Sequence, residues 1–465
     1  MKIQNKYKAI ESKRYSRLLI ILIIMAFNPA VSQTQELNFK EVDRETNKFY
    51  LQKNWDSLII LGKEAIREGV DYFYLRQRMG FAWFNKKNYR RSAQYFEKAR
   101  QFNANDPVTA EYLYYCYLYS NRSGELKVLL SNEAGLLEKK LDIPKAKVFN
   151  HLYLETGYTF SDNFSANKGR RIKEGSSYYE RDLNGDRYYL HLGSSLNVGS
   201  KLSLYIGYSG LIISKLHQIL VPDNTSSSGN QRINSYDNPY NLYQHSVYAN
   251  MNWALKNGLT LVPAVNILYV SSKNFRAEVI DFSGPVFDII ETDTSFFNYA
   301  ASLALNKNFT MFNAGIFGSI SNLNSIDQYQ AGGEITYFPK GNLDVYTTST
   351  GTWLNDDNKS HFIFEQLAGV KLSQRIWLEG FVALGEYINL TEKNVFVVHN
   401  SGDRTRFRAG LNFIMPIWEK VELSLRFQYH QMEGFEVWYM DDTNPLIGNF
   451  KYNNQTILGG LKWKF

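Results

Sequence analysis

The side chains in this sequence best suited to chemistry are its histidines and a set of charged residues spaced two apart. The histidines are His151, His191, His217, His245, His361, His399 and His430. No pair of them has the His-x-x-x-His spacing of a metal site, and neither a Gly-x-Ser-x-Gly elbow nor a phosphate loop occurs. His191 or His430 beside a serine or an acid is the one hydrolytic arrangement left, so no catalytic residue, metal or cofactor is assigned. The charged residues carry more information. Arg404, Arg406 and Arg408 alternate along one segment, Arg426 and His430 along the next, and Glu334, Glu365 and Glu379 lie a little earlier. Alternate residues of a strand share one face. If that face lines a lumen, these groups form either opposed basic and acidic walls around a solute path or an ion-paired filling, since a buried polar network needs partners. Pairing around a turn at Pro416–Trp418 sets Arg408 opposite Arg426 and Arg406 opposite Gln428, where like charges repel. The arginines outnumber the acids beside them in this register, and the expectation is an open lumen.

Such a face needs strands to carry it. From Val148 onward the chain breaks into segments with period-two alternation, clearest in Val421–His430, where Val, Leu, Leu, Phe and Tyr alternate with Glu, Ser, Arg, Gln and His. The connections alternate as well. Long polar stretches at 161–184, 218–238, 273–293, 389–402 and 432–451 are interleaved with tight turns such as Gly199-Ser200, Lys256-Asn257-Gly258, Pro339–Asn342 and Ser373-Gln374. Short turns at one end and long loops at the other predict a transmembrane antiparallel β-barrel over 147–465, of about fourteen strands. Ile457, Gly459, Leu461, Trp463 and Phe465 share a face of the last strand. The Trp463 and Phe465 pattern resembles the terminal signal read by the barrel-insertion machinery.

Ahead of the barrel, residues 33–141 carry a helical period, and 142–146 read as a linker. Trp55-Asp56 and Asn88-Tyr89 stand one period of about 34 residues apart, as do Ala65 and Ala99. Gly80 and Ala99 let two helices approach, while Trp83, Tyr89 and Phe96 fill the space between them. Asn105-Asp106-Pro107 stops one helix and starts the next. The segment resembles a tetratricopeptide array of about three helix pairs. The fold class expected is α + β in two domains, tetratricopeptide-like helices followed by the barrel. Arrays of this kind present a concave face to a protein partner, here an unknown periplasmic protein.

The first 32 residues place the chain. Six basic residues against Glu11, an apolar run from Leu18 to Phe27 and Ala30-Val31-Ser32 read as a secretory leader cleaved after Ser32. The formal charge is +7, and the leader contributes most of it; the remainder of the chain is only about +2, which gives no case for nucleic-acid binding. A single cysteine, Cys116, excludes an internal disulfide framework and a cysteine zinc site. The expected location is the outer membrane of a Gram-negative bacterium, with lipid around the barrel and the helices in the periplasm. Helical repeats ahead of a barrel resemble the exopolysaccharide-secretion porins and the YaiO-like barrel family. The first resemblance implies a pore or export channel for a polysaccharide or other envelope polymer. A non-conducting anchor for an envelope complex and a barrel enzyme are the alternatives. Residues 33–141 expressed alone should give a helical circular dichroism spectrum, and Ala99→Arg should unfold them by driving a cation into a close helix contact; a strand-dominated spectrum would reject the assignment.

Overall fold

The computed structural model describes residues 38–141, 147–169, 178–223, 232–281, 286–357, 359–439 and 445–465. The expected leader and the linker 142–146 lie outside them. Among these residues six helices come first: α1 Phe39–Leu51, α2 Trp55–Arg67, α3 Phe73–Asn85, α4 Tyr89–Phe102, α5 Pro107–Tyr119 and α6 Ser123–Leu141. Local chemistry sets their starts. Asn54 and Asn88 accept from the amides of Ser57 and Arg91, and Asp106 accepts from Thr109 at 2.7 Å ahead of Pro107 at the first helical turn. The turns before α2, α4 and α6 each pass through a left-handed residue, Lys53, Lys87 and Asn121, an even spacing of about 34 residues that marks one supersecondary unit used three times.

The helices bury two adjoining apolar clusters. One joins Val42, Leu58, Leu75, Met79 and Trp83; the other joins Phe81, Phe96, Leu113, Cys116 and Tyr117. At Gly80 an added Cβ would come within 2.7 Å of the Phe96 ring, so α3 and α4 approach as closely as they do only with glycine there. Ala99 is fully buried. The Arg91 guanidinium lies 4.8 Å above the Trp83 ring. Tyr89 stands at the edge of this packing, half-buried between Phe84 and Tyr119. Cys116 is buried and donates to Ser92 Oγ at 3.2 Å; burial pushes its thiol up to about 12, so it stays protonated and inert at neutral pH.

The strands come next: β1 Phe149–Ser161, β2 Tyr178–Gly199, β3 Leu202–Asp223, β4 Arg232–Ala254, β5 Leu259–Asp281, β6 Val286–Asn308, β7 Phe312–Ser321 and β8 Gln328–Tyr337. After them come β9 Val345–Asp356, β10 Lys359–Ser373, β11 Ile376–Tyr387, β12 Leu390–Glu392, β13 Val397–His399, β14 Arg404–Trp418, β15 Val421–Tyr439 and β16 Pro445–Lys464. A short helix, α7 Asn163–Asn167, comes after β1. All strands except β12 and β13 close into one antiparallel barrel of 14 strands, with β16 pairing back to β1 through Trp463 opposite Leu152. The Phe465 amide donates to Asn150 O, and its ring meets Phe149. Leu190, Val247, Ile267, Leu303, Ile316, Leu411 and Phe427 are exposed on the outside. A barrel pairs its backbone groups internally, and apolar side chains outside with polar ones inside suit it to span a lipid bilayer. Among the described residues no helix is long and apolar enough to cross a membrane.

Two expectations about the strands change. Much of what reads as loop is strand. β2 to β6 run for 22 or 23 residues and β15 and β16 for 19 and 20, while β7 and β8 have only 10. Polar residues on both faces hide a strand that continues into water. The β14–β15 turn also lies further along, at Glu419-Lys420, because β14 continues through Pro416 with an irregularity at residue 417. Moving the turn shifts the whole register, so Arg408 faces His430 and Arg426 faces Asn412. The two arginines are not opposite each other.

The helices dock on the short-turn end through Arg90 of α4. Its side chain is fully buried, donates to Asn313 Oδ1 at 2.9 Å, Phe309 O and Ser120 O, and lies 3.7 Å over the Phe338 ring. Around it the Arg90 amide donates to Gly341 O, Asn342 to Lys87 O, and Asn308 to Glu125. Gly341 has φ +66, and a Cβ there would collide with Asn88 Oδ1. Arg90→Ala leaves Asn313 and two carbonyls without their cation and should loosen the seam. Limited proteolysis should then release the helical fragment at least tenfold faster, with the barrel's heat-dependent gel mobility unchanged. Equal release rates would show that the seam does not rest on Arg90.

Candidate functional site

The distinctive site lies inside the barrel. After β11 the chain does not arch over the mouth. Residues 388–403 turn inward, forming the two-stranded hairpin β12–β13, which is separate from the barrel sheet. Its rung next to the turn, Glu392 opposite Val397, is held by Arg408 of β14, whose side chain is only 4% exposed. Arg408 donates to Glu392 Oε2 at 2.7 Å through Nη1 and to Glu365 Oε2 at 2.9 Å through Nη2; Nη2 also donates to Glu392 Oε1. His399 Nε2 lies 2.9 Å from Nη1, and the Phe381 ring backs the guanidinium. Two arms of one planar fork therefore clasp a carboxylate on the hairpin and another on the wall.

The tip reaches the opposite wall. Asn266 of β5 donates to Val395 O at 3.0 Å, and Val395 packs with Tyr248, Ala264 and Ala300. Phe396 meets the rings of His191 and Tyr248 edge-on, each at 5.0 Å. Asn400 donates to Gln244, Asn324 donates to Asn389 and to Asn400 O, and Ser319 shares a hydrogen bond with Thr391. Lys393, Asn394 and Val395 are all left-handed, with φ of 51, 56 and 56. For a β-branched residue such as Val395 that region is strained; packing and the Asn266 bond hold it there.

The hairpin divides what remains of the lumen. One chamber of about 330 Å³ is bounded by Glu334, Tyr346, Glu365, Glu379 and Lys393. A second, of about 260 Å³, is bounded by Glu155, Arg187, Arg408, Arg426 and His430. Beyond the hairpin, toward the loop end, the barrel closes on itself. Glu436–Tyr439 of β15 pair with Tyr178–Arg181 of β2, over an apolar cluster of Leu183, Leu216, Met432, Phe450 and Tyr452.

The alternating arginines are therefore dispersed. A bulge at Arg406 reverses the in–out order of β14 beyond it. Thr405 consequently turns inward, beside Tyr387 and Met432 whose strands keep their alternation, and Arg404 and Arg406 turn to the other face. There Arg404 lies 3.1 Å from Glu433, and Arg406 lies 2.8 Å from Glu386. Only Arg408 of the three enters the lumen. Arg426 sits 3.8 Å from Glu155, Glu379 accepts from Tyr346 and Asn412, and Glu334 accepts from Thr350. The open arginine-lined lumen expected from the sequence is replaced by an occupied one. Glu392 and His399 escape sequence reasoning because they sit in a stretch read as surface loop; Arg187 escapes although it alternates with Tyr189 and His191. Among the described residues no group of three or more metal-binding side chains occurs.

No family model matches the chain, and no curated protein matches it. Among solved structures, the P. putida toluene transporter TodX aligns with a TM-score of 0.42 at 7% identity, covering 69% of this chain and 91% of that one. A Pseudomonas aeruginosa FadL homologue aligns with a TM-score of 0.42 at 8% identity, over 68% of this chain and 90% of that one. The Acinetobacter baumannii outer membrane protein Omp33 aligns at 0.33 and 7% identity, over 69% and 100%.

Removing the Arg408 side chain strands two carboxylates in the lumen. Arg408→Ala should lower stability by about 3–5 kcal/mol, and Arg404→Ala, in a partly exposed pair, by about 1 kcal/mol or less. Urea unfolding of the detergent-solubilised protein followed by tryptophan fluorescence distinguishes them. Similar losses for the two would contradict the assignment of Arg408 as the interior clasp.

Proposed function

We propose that this chain is an outer-membrane transport barrel held closed by its own hairpin, with the short-turn end and the helices in the periplasm. The observation that carries the reading is the Arg408 clasp. A barrel that needed only filling would pair its wall charges with one another, yet Arg408 spends half its fork on Glu392 of a segment tied to the wall at its two ends. Polar chambers beside that segment are spaces a solute can occupy once it moves. At about 330 and 260 Å³ they hold small solutes in the closed state, so passage of an envelope polymer requires the hairpin to leave the lumen.

The helices supply a docking surface in this reading. They resemble tetratricopeptide pairs, and Arg90 commits one face of α4 to the barrel. α1 to α3 keep Phe39, Leu51, Ile60 and Tyr74 exposed for a periplasmic protein partner. Insertion through the terminal strand, with Trp463 and Phe465 as its recognition residues, belongs to the same reading.

One observation favours a different role. The packed cluster of Leu183, Leu216, Met432, Phe450 and Tyr452 closes the loop end independently of the hairpin, as suits a non-conducting anchor. Planar-bilayer recording separates the two. The wild type should be closed for most of the record, and replacing residues 390–399 by a short glycine–serine linker should raise mean conductance at least tenfold, with Glu392→Gln between them. A folded, inserted deletion variant that stays silent would rule out the channel and leave the anchor.

A further inference from the structure

We propose that the chamber between Arg187 and His430 is a binding site for a small oxoanion, a molecule carrying a carboxylate or phosphate group. Arg187 lies on β2 opposite Thr159 of β1. That rung continues through Thr456 to Gln428, and the next rung up holds His430 and Asn454, with Arg408 facing His430. Their side chains converge on the 260 Å³ chamber, which Arg187, Arg408 and His430 line together.

Arg187 is the anomaly there. Its Nε and Nη2 are buried and have no hydrogen-bond partner among the described residues. Those nitrogens are the two whose N–H bonds run parallel along one side of a guanidinium, the geometry that takes both oxygens of a carboxylate or two of a phosphate. His430 Nε2 and Arg408 Nε, at the same chamber, are likewise buried and unmatched. No nearby acid bonds the open edge of the Arg187 fork. Glu155 accepts from Tyr153 and faces Arg426, Glu365 and Glu392 hold Arg408, and Glu379 accepts from Tyr346 and Asn412. Asp403 accepts from Asn184 and Tyr452, each at 2.5 Å. The Asp403 carboxylate supplies a neighbouring negative charge, but no acceptor reaches the open edge of the fork, and a buried N–H left without an acceptor is costly. An oxoanion seated on the open fork supplies both acceptors at once, in the bidentate geometry the fork presents. The volume admits a small molecule and is below that of ordinary drug-sized pockets, which begin near roughly 300 Å³.

The hairpin roofs this chamber whether or not the barrel conducts, so the site stands or falls separately from the channel. The full chain, purified in detergent and exchanged into chloride buffer of fixed ionic strength, is titrated with inorganic phosphate and with acetate by calorimetry and thermal unfolding. One saturable site per chain is expected for at least one probe, with Tm rising with its concentration. Arg187→Lys, which keeps the charge and loses the fork, should weaken it at least tenfold, and His430→Gln should weaken it less. Arg404→Gln, on the other face, should leave it unchanged. A site that takes phosphate and not acetate identifies a phosphate-bearing ligand, and the converse a carboxylate. Failure of both probes to saturate, a Tm gain matched by added chloride, or unchanged affinity in Arg187→Lys would overturn the proposal. The wild-type titration decides even where a variant does not fold.

Discussion

The interior of this barrel is organised by the need to keep one buried guanidinium neutralised. Arg408 projects into a lumen the hairpin partly fills, where its side chain is buried, and its charge is tolerable there only with carboxylates at hydrogen-bonding distance. One of the two, Glu365, comes from the wall and is available in any conformation of the loops. The other, Glu392, arrives only if residues 388–403 fold inward. The position of the hairpin, the strained left-handed run at Lys393–Val395 and the division of the lumen into two chambers all result from bringing that second carboxylate to the clasp.

The far end of the hairpin is held by a different kind of force. Phe396 and Val395 are seated among His191, Tyr248, Ala264 and Ala300, where the gain is apolar burial. The Arg408 clasp is ionic and directional; the tip is apolar and tolerant of small shifts. Salt and pH act on the first far more than on the second. The two attachments of the segment therefore respond to different changes in the surroundings.

Much of the architecture could be read from residues alone. Alternation in Val421–His430 identified which side chains enter the lumen, and Arg426, Gln428 and His430 do so. The even recurrence of helix starts was visible in Trp55-Asp56 and Asn88-Tyr89. Sequence failed where one residue changes parity. A bulge such as that at Arg406 leaves no compositional mark, yet it turns Arg404 and Arg406 away from the lumen they were expected to line. Register failed for a related reason: a displaced turn moves every cross-strand pair by twice its own shift, and Arg408 lost Arg426 and gained His430. The acid that neutralises Arg408 could not be found locally, because Glu392 lies 16 residues away in a segment whose polarity suits a surface loop equally well. Arg187 had a signal, its alternation with Tyr189 and His191, but no neighbouring arginine drew attention to it.

The unequal strands give the barrel a direction. At roughly 3.3 Å per residue, a strand of 10 residues is about 33 Å long and, tilted, little more than spans the hydrocarbon. The strands of 22 or 23 residues from β2 to β6, with β15 and β16 beside them, are about twice that length, so half of each stands in water. The molecule is thus a cup with one tall side, like a hood over a vent. Its low rim, formed by β7 and β8, lies close to the level of the lipid headgroups. The tall side screens the loop end from one direction, and the low side leaves it open to the plane of the membrane surface.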